Sequence, residues 1–117
     1  MRGDHARALD LASTRRAQAR TDQERALLDE SRGTALAGLG RTREAVAALD
    51  DAERELGNAA DARAARARVI YGKARTLAAA SRCKEATAAY EQFAALSRAF
   101  DPESADAAMR YARDCRE

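Results

Sequence analysis

Apolar residues recur along this chain at three- and four-residue intervals, the spacing of a helix that buries one face. Leu28, Ala35, Leu36 and Leu39 make one stripe, and Ala45, Val46, Ala48, Leu49, Ala52 and Leu56 make a second. A third runs through Ala62, Ala65, Val69, Ile70, Ala74 and Leu77, and a fourth through Ala86, Ala89, Tyr90 and Phe93. The residues between the stripes mark helix ends. Thr21 and Glu24 have capping-box spacing, in which each end of the first turn satisfies a free amide of the other, so a helix starts there. Gly38, Leu39 and Gly40 suit the left-handed turn that closes it. The next helix spans Thr42 to Gly57, and a third starts near Ala60. Ser81 is read as both the end of that helix and the cap of a fourth. Asp101, Pro102 and Glu103 give a start signal of side-chain cap, proline and first-turn charge for a closing helix to about Arg116. Ahead of all these, Asp4 to about Arg20 carries a short apolar patch (Ala8, Leu9, Leu11, Ala12) and then a polar end expected to fray.

Composition narrows the picture. The 117 residues suit one domain, and 32 alanines against 15 Leu, Ile, Val and Phe leave a thin core. Because 21 basic and 19 acidic residues nearly balance, the low content of large aliphatics does not imply disorder, and the abundance of Ala, Arg, Glu and Leu favours helix. The expected fold class is all-α, with five to six helices. No segment approaches the ~18 uncharged apolar residues of a membrane span, and the start does not read as a signal peptide, so a soluble chain without membrane insertion is expected. The excess of Arg over Lys reads as GC-rich coding. Interleaved charge of both signs, with five Phe and Tyr in all, makes nucleic acid an unlikely partner.

A self-alignment shows a repeat. Residues 43–49 (REAVAAL) match residues 84–90 (KEATAAY) at a shift of 41. Gly33, Gly40, Ala45 and Ala52 recur as Ala74, Ser81, Ala86 and Phe93 at the same spacings. Small residues at such positions let paired helices approach, while Leu36 and Leu77, or Leu49 and Tyr90, fill the adjoining layer. This small/large pattern resembles the tetratricopeptide repeat family over about residues 25–117. Asp29 and Arg32, or Ile70 and Lys73, stand where that family usually has an aromatic residue and Leu, and the closing prolines are missing. The long period is similar to the variety in kinesin light chains and bacterial regulatory proteins. The resemblance implies antiparallel hairpins stacked as a short right-handed α-solenoid: residues 1–20 as the second half of an incomplete repeat, 21–57 and 58–100 as two repeats, and 101–117 as a capping helix. A generic five- or six-helix bundle is the alternative.

The chemistry on offer is sparse. The single histidine, His5, read as solvent-exposed, cannot build a triad, and neither a metal-binding nor a phosphate-binding motif is present, so no catalytic activity and no cofactor are expected. Cys83 lies roughly 16 residues before the Asp101 turn and Cys115 roughly 13 after it, an axial offset of about 4–5 Å in antiparallel helices. They are either a disulfide, which would imply an extracytoplasmic setting, or two buried thiols compatible with the cytoplasm. The helix near residues 60–80 is strongly basic. The family resemblance places Arg68, Tyr71 and Arg75 together on a concave groove, with Arg113 on the same side, a face suited to an acidic peptide. Alternatively these arginines pair with Asp50, Asp51, Glu53 and Glu55 or stay solvated. The expected function is therefore a protein-binding scaffold whose groove takes a partner peptide or helix. The alternative is an oligomerisation module, or part of a larger repeat protein, associating through the open face of Leu9 and Leu11.

Overall fold

The structure, a computed structural model, describes residues 2–115. Among them six α-helices form and no strand does: α1 (Arg2–Ala17), α2 (Asp22–Gly38), α3 (Thr42–Leu56), α4 (Arg63–Ala79), α5 (Cys83–Ser97) and α6 (Pro102–Asp114). A single 3-10 turn, Ala60–Ala62, leads into α4. The chain falls into two compact units, Met1–Asn58 and Ala59–Glu117. In the first, α2 packs against both α1 and α3; in the second, α5 packs against both α4 and α6. The opening and closing helices thus belong to three-helix units.

Local signals act largely as read. The Thr21 hydroxyl accepts from the Glu24 amide at 3.1 Å, while the Glu24 carboxylate accepts from the Arg20 amide at 2.9 Å, one residue earlier than a capping box requires. Asp101 caps α6 by accepting from the Ser104 amide at 3.2 Å, with Pro102 in the first turn. The extension of that helix to Arg116 lies outside the described residues. Ser81 departs from expectation. It closes α4 in the left-handed region, at φ 59°, but the α5 cap position belongs to Arg82, which makes no side-chain cap bond.

The 41-residue shift carries through to the backbone. α4 begins 41 residues after α2, and α5 begins 41 after α3. Gly40 (φ 76°) and Ser81 (φ 59°) hold equivalent left-handed positions, followed by equivalent bonds from the Arg41 amide to the Leu36 carbonyl and from the Arg82 amide to the Leu77 carbonyl, each 2.9 Å. Ala45, Ala52, Ala74 and Ala86 are all fully buried at 0% exposure. At Gly33 the approach is closest, because a Cβ there would lie 2.7 Å from Leu49 Cγ. Small side chains therefore set the helix spacing within each unit. Leu36, Leu49, Leu77 and Tyr90 fill the adjoining layers.

Two outcomes follow for urea unfolding. Ala45→Leu and Ala86→Leu are each expected to cost about 1–3 kcal/mol, because the inserted volume has to push paired helices apart; unchanged midpoints would exclude a close-packed seam. Ser81→Gly removes a left-handed non-glycine residue and is expected to stabilise its unit by roughly 1 kcal/mol, whereas Gly40→Ser should lose a similar amount.

Candidate functional site

Charged groups gather inside the first unit. Asp29 sits on the buried stripe of α2, four residues before Gly33 and seven before Leu36, and is 0% exposed. Its Oδ1 accepts from Arg16 Nε of α1 at 2.6 Å and from Arg32 Nη1 at 2.9 Å. The same Arg16 guanidinium donates through Nη2 to Glu55 Oε2 of α3 at 3.0 Å, and Arg25 Nε approaches that oxygen at 3.9 Å. One arginine thus ties all three helices. The polar end of α1, expected to fray on the way to Arg20, does leave the helix after Ala17, but Arg16 is tied into this cluster one residue before the helix ends.

The second oxygens of the two carboxyls, Asp29 Oδ2 and Glu55 Oε1, are buried with no hydrogen-bond partner among the described residues. Two adjacent carboxylates cannot donate to one another, and a proton retained by Glu55 would supply the missing donor. Burial accordingly pushes Glu55 up to about 7, reinforced by the hydrogen bond and charge of Asp29. Burial also pushes Asp29 upward, but hydrogen bonds from Glu55, Arg16 and Arg32 outweigh it and hold that carboxyl below the ordinary range. Next to the cluster, a cleft of about 380 Å³ opens between α1 and α3 over Arg32 and Leu36 of α2. Its rim mixes Asp10, Arg41, Glu44 and Asp51, and Arg41 is already paired with Glu44. No group of three or more His, Cys, Asp and Glu among the described residues is arranged to hold a metal.

The second unit is built on rings. Tyr71 of α4 packs edge-on against Tyr90 of α5 at 6.0 Å between centroids and against Phe93 at 5.0 Å. Tyr90 in turn meets Tyr111 of α6 at 6.0 Å. The row Tyr71, Tyr90, Tyr111 therefore crosses all three helices. Tyr90 is buried, which holds its hydroxyl above the ordinary range, whereas Tyr71 is half-buried and Tyr111 is 48% exposed. Arg75 lies over the Tyr71 ring at 5.9 Å, in cation–π range. Arg68 is exposed on the same helical stripe, three residues before Tyr71. Throughout α4 five cations and no acidic residue appear.

The residues singled out from the sequence are thus only partly brought together. Tyr71 and Arg75 touch, and Arg68 shares their stripe. Arg113 is exposed in the last turn of α6, two positions from Tyr111, a spacing that turns the two side chains to different sides of the helix. Cys83 and Cys115 are bridged, with Cα atoms 5.5 Å apart. Of the acidic residues considered as partners for the basic helix, Glu55 bonds Arg16 and Asp51 pairs with Arg54, both inside the first unit. Leu9 is partly covered, packed against the cluster of Leu36, Ala45 and Ala48, and Ala12 is buried; Leu11 remains 52% exposed. His5 is half-buried against Gly38, where a Cβ would collide with its ring, so it is not the solvent-exposed residue expected. No helix among the described residues is long and apolar enough to cross a membrane.

The sequence reading missed Asp29, Tyr90 and Tyr111 as parts of sites. For Asp29 the signal was present, since a charge on a stripe shared with Gly33 and Leu36 needs a cation, and Arg16 lay in the segment dismissed as polar.

The retained proton predicts how stability depends on pH. Folded Glu55 holds its proton to about pH 7, whereas the unfolded chain releases it near 4.5, so between these values the folded state binds more protons and stability falls as pH rises. That contribution is complete below the unfolded value and gone above the folded one. Asp29 acts oppositely and further into acid, its contribution disappearing as pH falls below 3.8. Relative to Glu55→Gln, whose amide is a permanent donor, the wild-type chain is expected to lose on the order of 2 kcal/mol in urea unfolding between about pH 5 and 8. A constant difference between the two proteins would exclude the retained proton. Compared with known proteins, the chain matches no family model, no curated protein and no solved structure.

Proposed function

We propose that this protein is a non-enzymatic interaction module of the tetratricopeptide kind, with hairpins of an α-solenoid presenting a docking face to an acidic peptide or helix of a partner. The observation that carries the reading is the tyrosine row of the second unit beside an α4 that bears five cations and no acid. Tyrosine supplies large contact area at low cost in side-chain entropy, and its half-exposed rings on α4 and α6 flank a buried ring that fixes both. Guanidinium groups at Arg68 and Arg75 add two-pronged recognition of carboxylates, which a lysine in their place would not reproduce. The duplicated hairpin supports the scaffold part of the reading, because it positions the row on rigid helices. Assembly through α1 is the weaker reading, since Leu9 already packs inside the first unit.

The reading is tested by fluorescence anisotropy with a labelled Asp- and Glu-rich peptide. Tyr71→Ala and Arg75→Glu are each expected to weaken binding about tenfold or more, the latter by removing one favourable charge and adding a repulsive one. Retained affinity in both variants, with loss on substitution of exposed residues in α2 or α3, would move the site off this face.

A further inference from the structure

We propose that the Cys83–Cys115 disulfide is a redox gate on the tyrosine face: closed, it holds Tyr111 against Tyr90, and opened, it frees the end of α6 and takes Tyr111 out of the row. The inference deepens the peptide-binding reading and rests on it for its functional consequence.

Position along the helices carries the argument. Cys83 stands two turns before Tyr90 on α5, on the same stripe, and Cys115 stands one turn beyond Tyr111, with its amide bonded to the Tyr111 carbonyl at 3.1 Å. Bridge and ring pair thus lie along the same seam between α5 and α6, the bridge at its end and the ring pair further in, two turns along α5 and one turn along α6. The other end of α6 has its own ties, the Asp101 cap and the contact from Arg98 Nη1 to Asp106 Oδ1 at 3.0 Å. Between them the helix is held weakly. It has 13 residues, a length marginal for an isolated helix in water, and the residues it buries are Ala105, Ala108 and Ala112. Alanine has little apolar area to withdraw from water, so the last turn depends on the bridge and on the Tyr90–Tyr111 contact together.

The chemistry is thiol–disulfide exchange with a small dithiol. Cys83 is 7% exposed and Cys115 is partly exposed, so the attacking thiolate reaches Cys115 Sγ and expels Cys83 as a thiolate that takes up a proton. The second thiol of the reagent then displaces Cys115, which also leaves as a thiol, and the reagent departs as a cyclic disulfide. Two electrons pass from the dithiol to the bridge.

The test compares the intact chain, oxidised and after dithiothreitol treatment, with the Cys83→Ser/Cys115→Ser double variant. Far-UV circular dichroism should keep most of its helical signal on reduction, while the NMR ring resonances of Tyr111 move to positions of a solvated tyrosine. Affinity for the labelled acidic peptide should fall about tenfold, and saturating peptide should reciprocally lower the reduction potential of the bridge by about 30 mV. Unmoved Tyr111 resonances with two thiols titrated per chain would overturn the gate. Should the reduced chain and the double variant both unfold, Tyr111→Ala with the bridge intact decides instead: a tenfold loss supports the gate and full affinity overturns it. Movement of Tyr111 in a chain that binds the peptide in neither state would leave the gate standing and remove the peptide reading.

Discussion

The close approach of paired helices is the constraint on which the remainder of this structure depends. Helices that meet at Gly33 and Ala45 leave no room for a larger side chain at the crossing, and the repeat-equivalent Ala74 and Ala86 are likewise fully buried. The choice has a cost, since alanine withdraws little apolar surface from water and a core rich in it stabilises weakly. Ile70, Leu77 and Val69 are the largest apolar side chains that become fully buried, and all three belong to the second unit. A close-packed, alanine-lined scaffold of this size requires ties beyond burial.

The two units meet that requirement with different chemistry at repeat-equivalent positions. Asp29 in the first unit corresponds to Ile70 in the second, and each is 0% exposed. Glu55 corresponds to Leu96. The first unit therefore places a carboxylate where the second has a branched aliphatic side chain, and it must surround that charge with arginines from the same helix and from α1 to offset desolvation. Such a cluster adds little net stability, because replacing it with well-packed apolar groups is often neutral or better, but breaking it by removing one partner strands the others. Its effect is directional: Arg16 binds Asp29 and Glu55 only when α1, α2 and α3 are aligned at that end, which fixes their register.

The helices, the duplicated seam and the caps at Thr21 and Asp101 were legible in the sequence because each rests on local spacing. A capping pair three residues apart, small residues at intervals of seven, five and seven, and a cation-rich helix can all be counted along a chain. What could not be counted were meetings between distant segments. Arg16 and Asp29 are 13 residues apart and Arg16 and Glu55 are 39 apart, and against its immediate neighbours alone Arg16 reads as part of a polar helix end. Leu9 was read as too open for a related reason, since the family comparison supplied a missing helix to cover it when the hairpin of α2 and α3 already covers part of it. The Ser81 error was of another kind. Serine commonly caps helices, and only alignment with Gly40 reveals that its position demands a left-handed backbone more than a side-chain oxygen.

The tyrosine face follows from the same packing constraint. Where the first unit has Leu49 and Ala52, the second has Tyr90 and Phe93, so rings occupy a seam that its counterpart fills with aliphatic groups. A ring that large cannot be enclosed by the alanines of α6, and it extends until it meets Tyr71 on one side and Tyr111 on the other. These outer rings are then fixed on one face and wet on the other, each held by the buried ring between them. The residues that fill the core of the second unit are thus continuous with those that form its exposed face. Any change in how α6 is held must therefore reach that face through a direct ring contact, with no intervening element needed to transmit it.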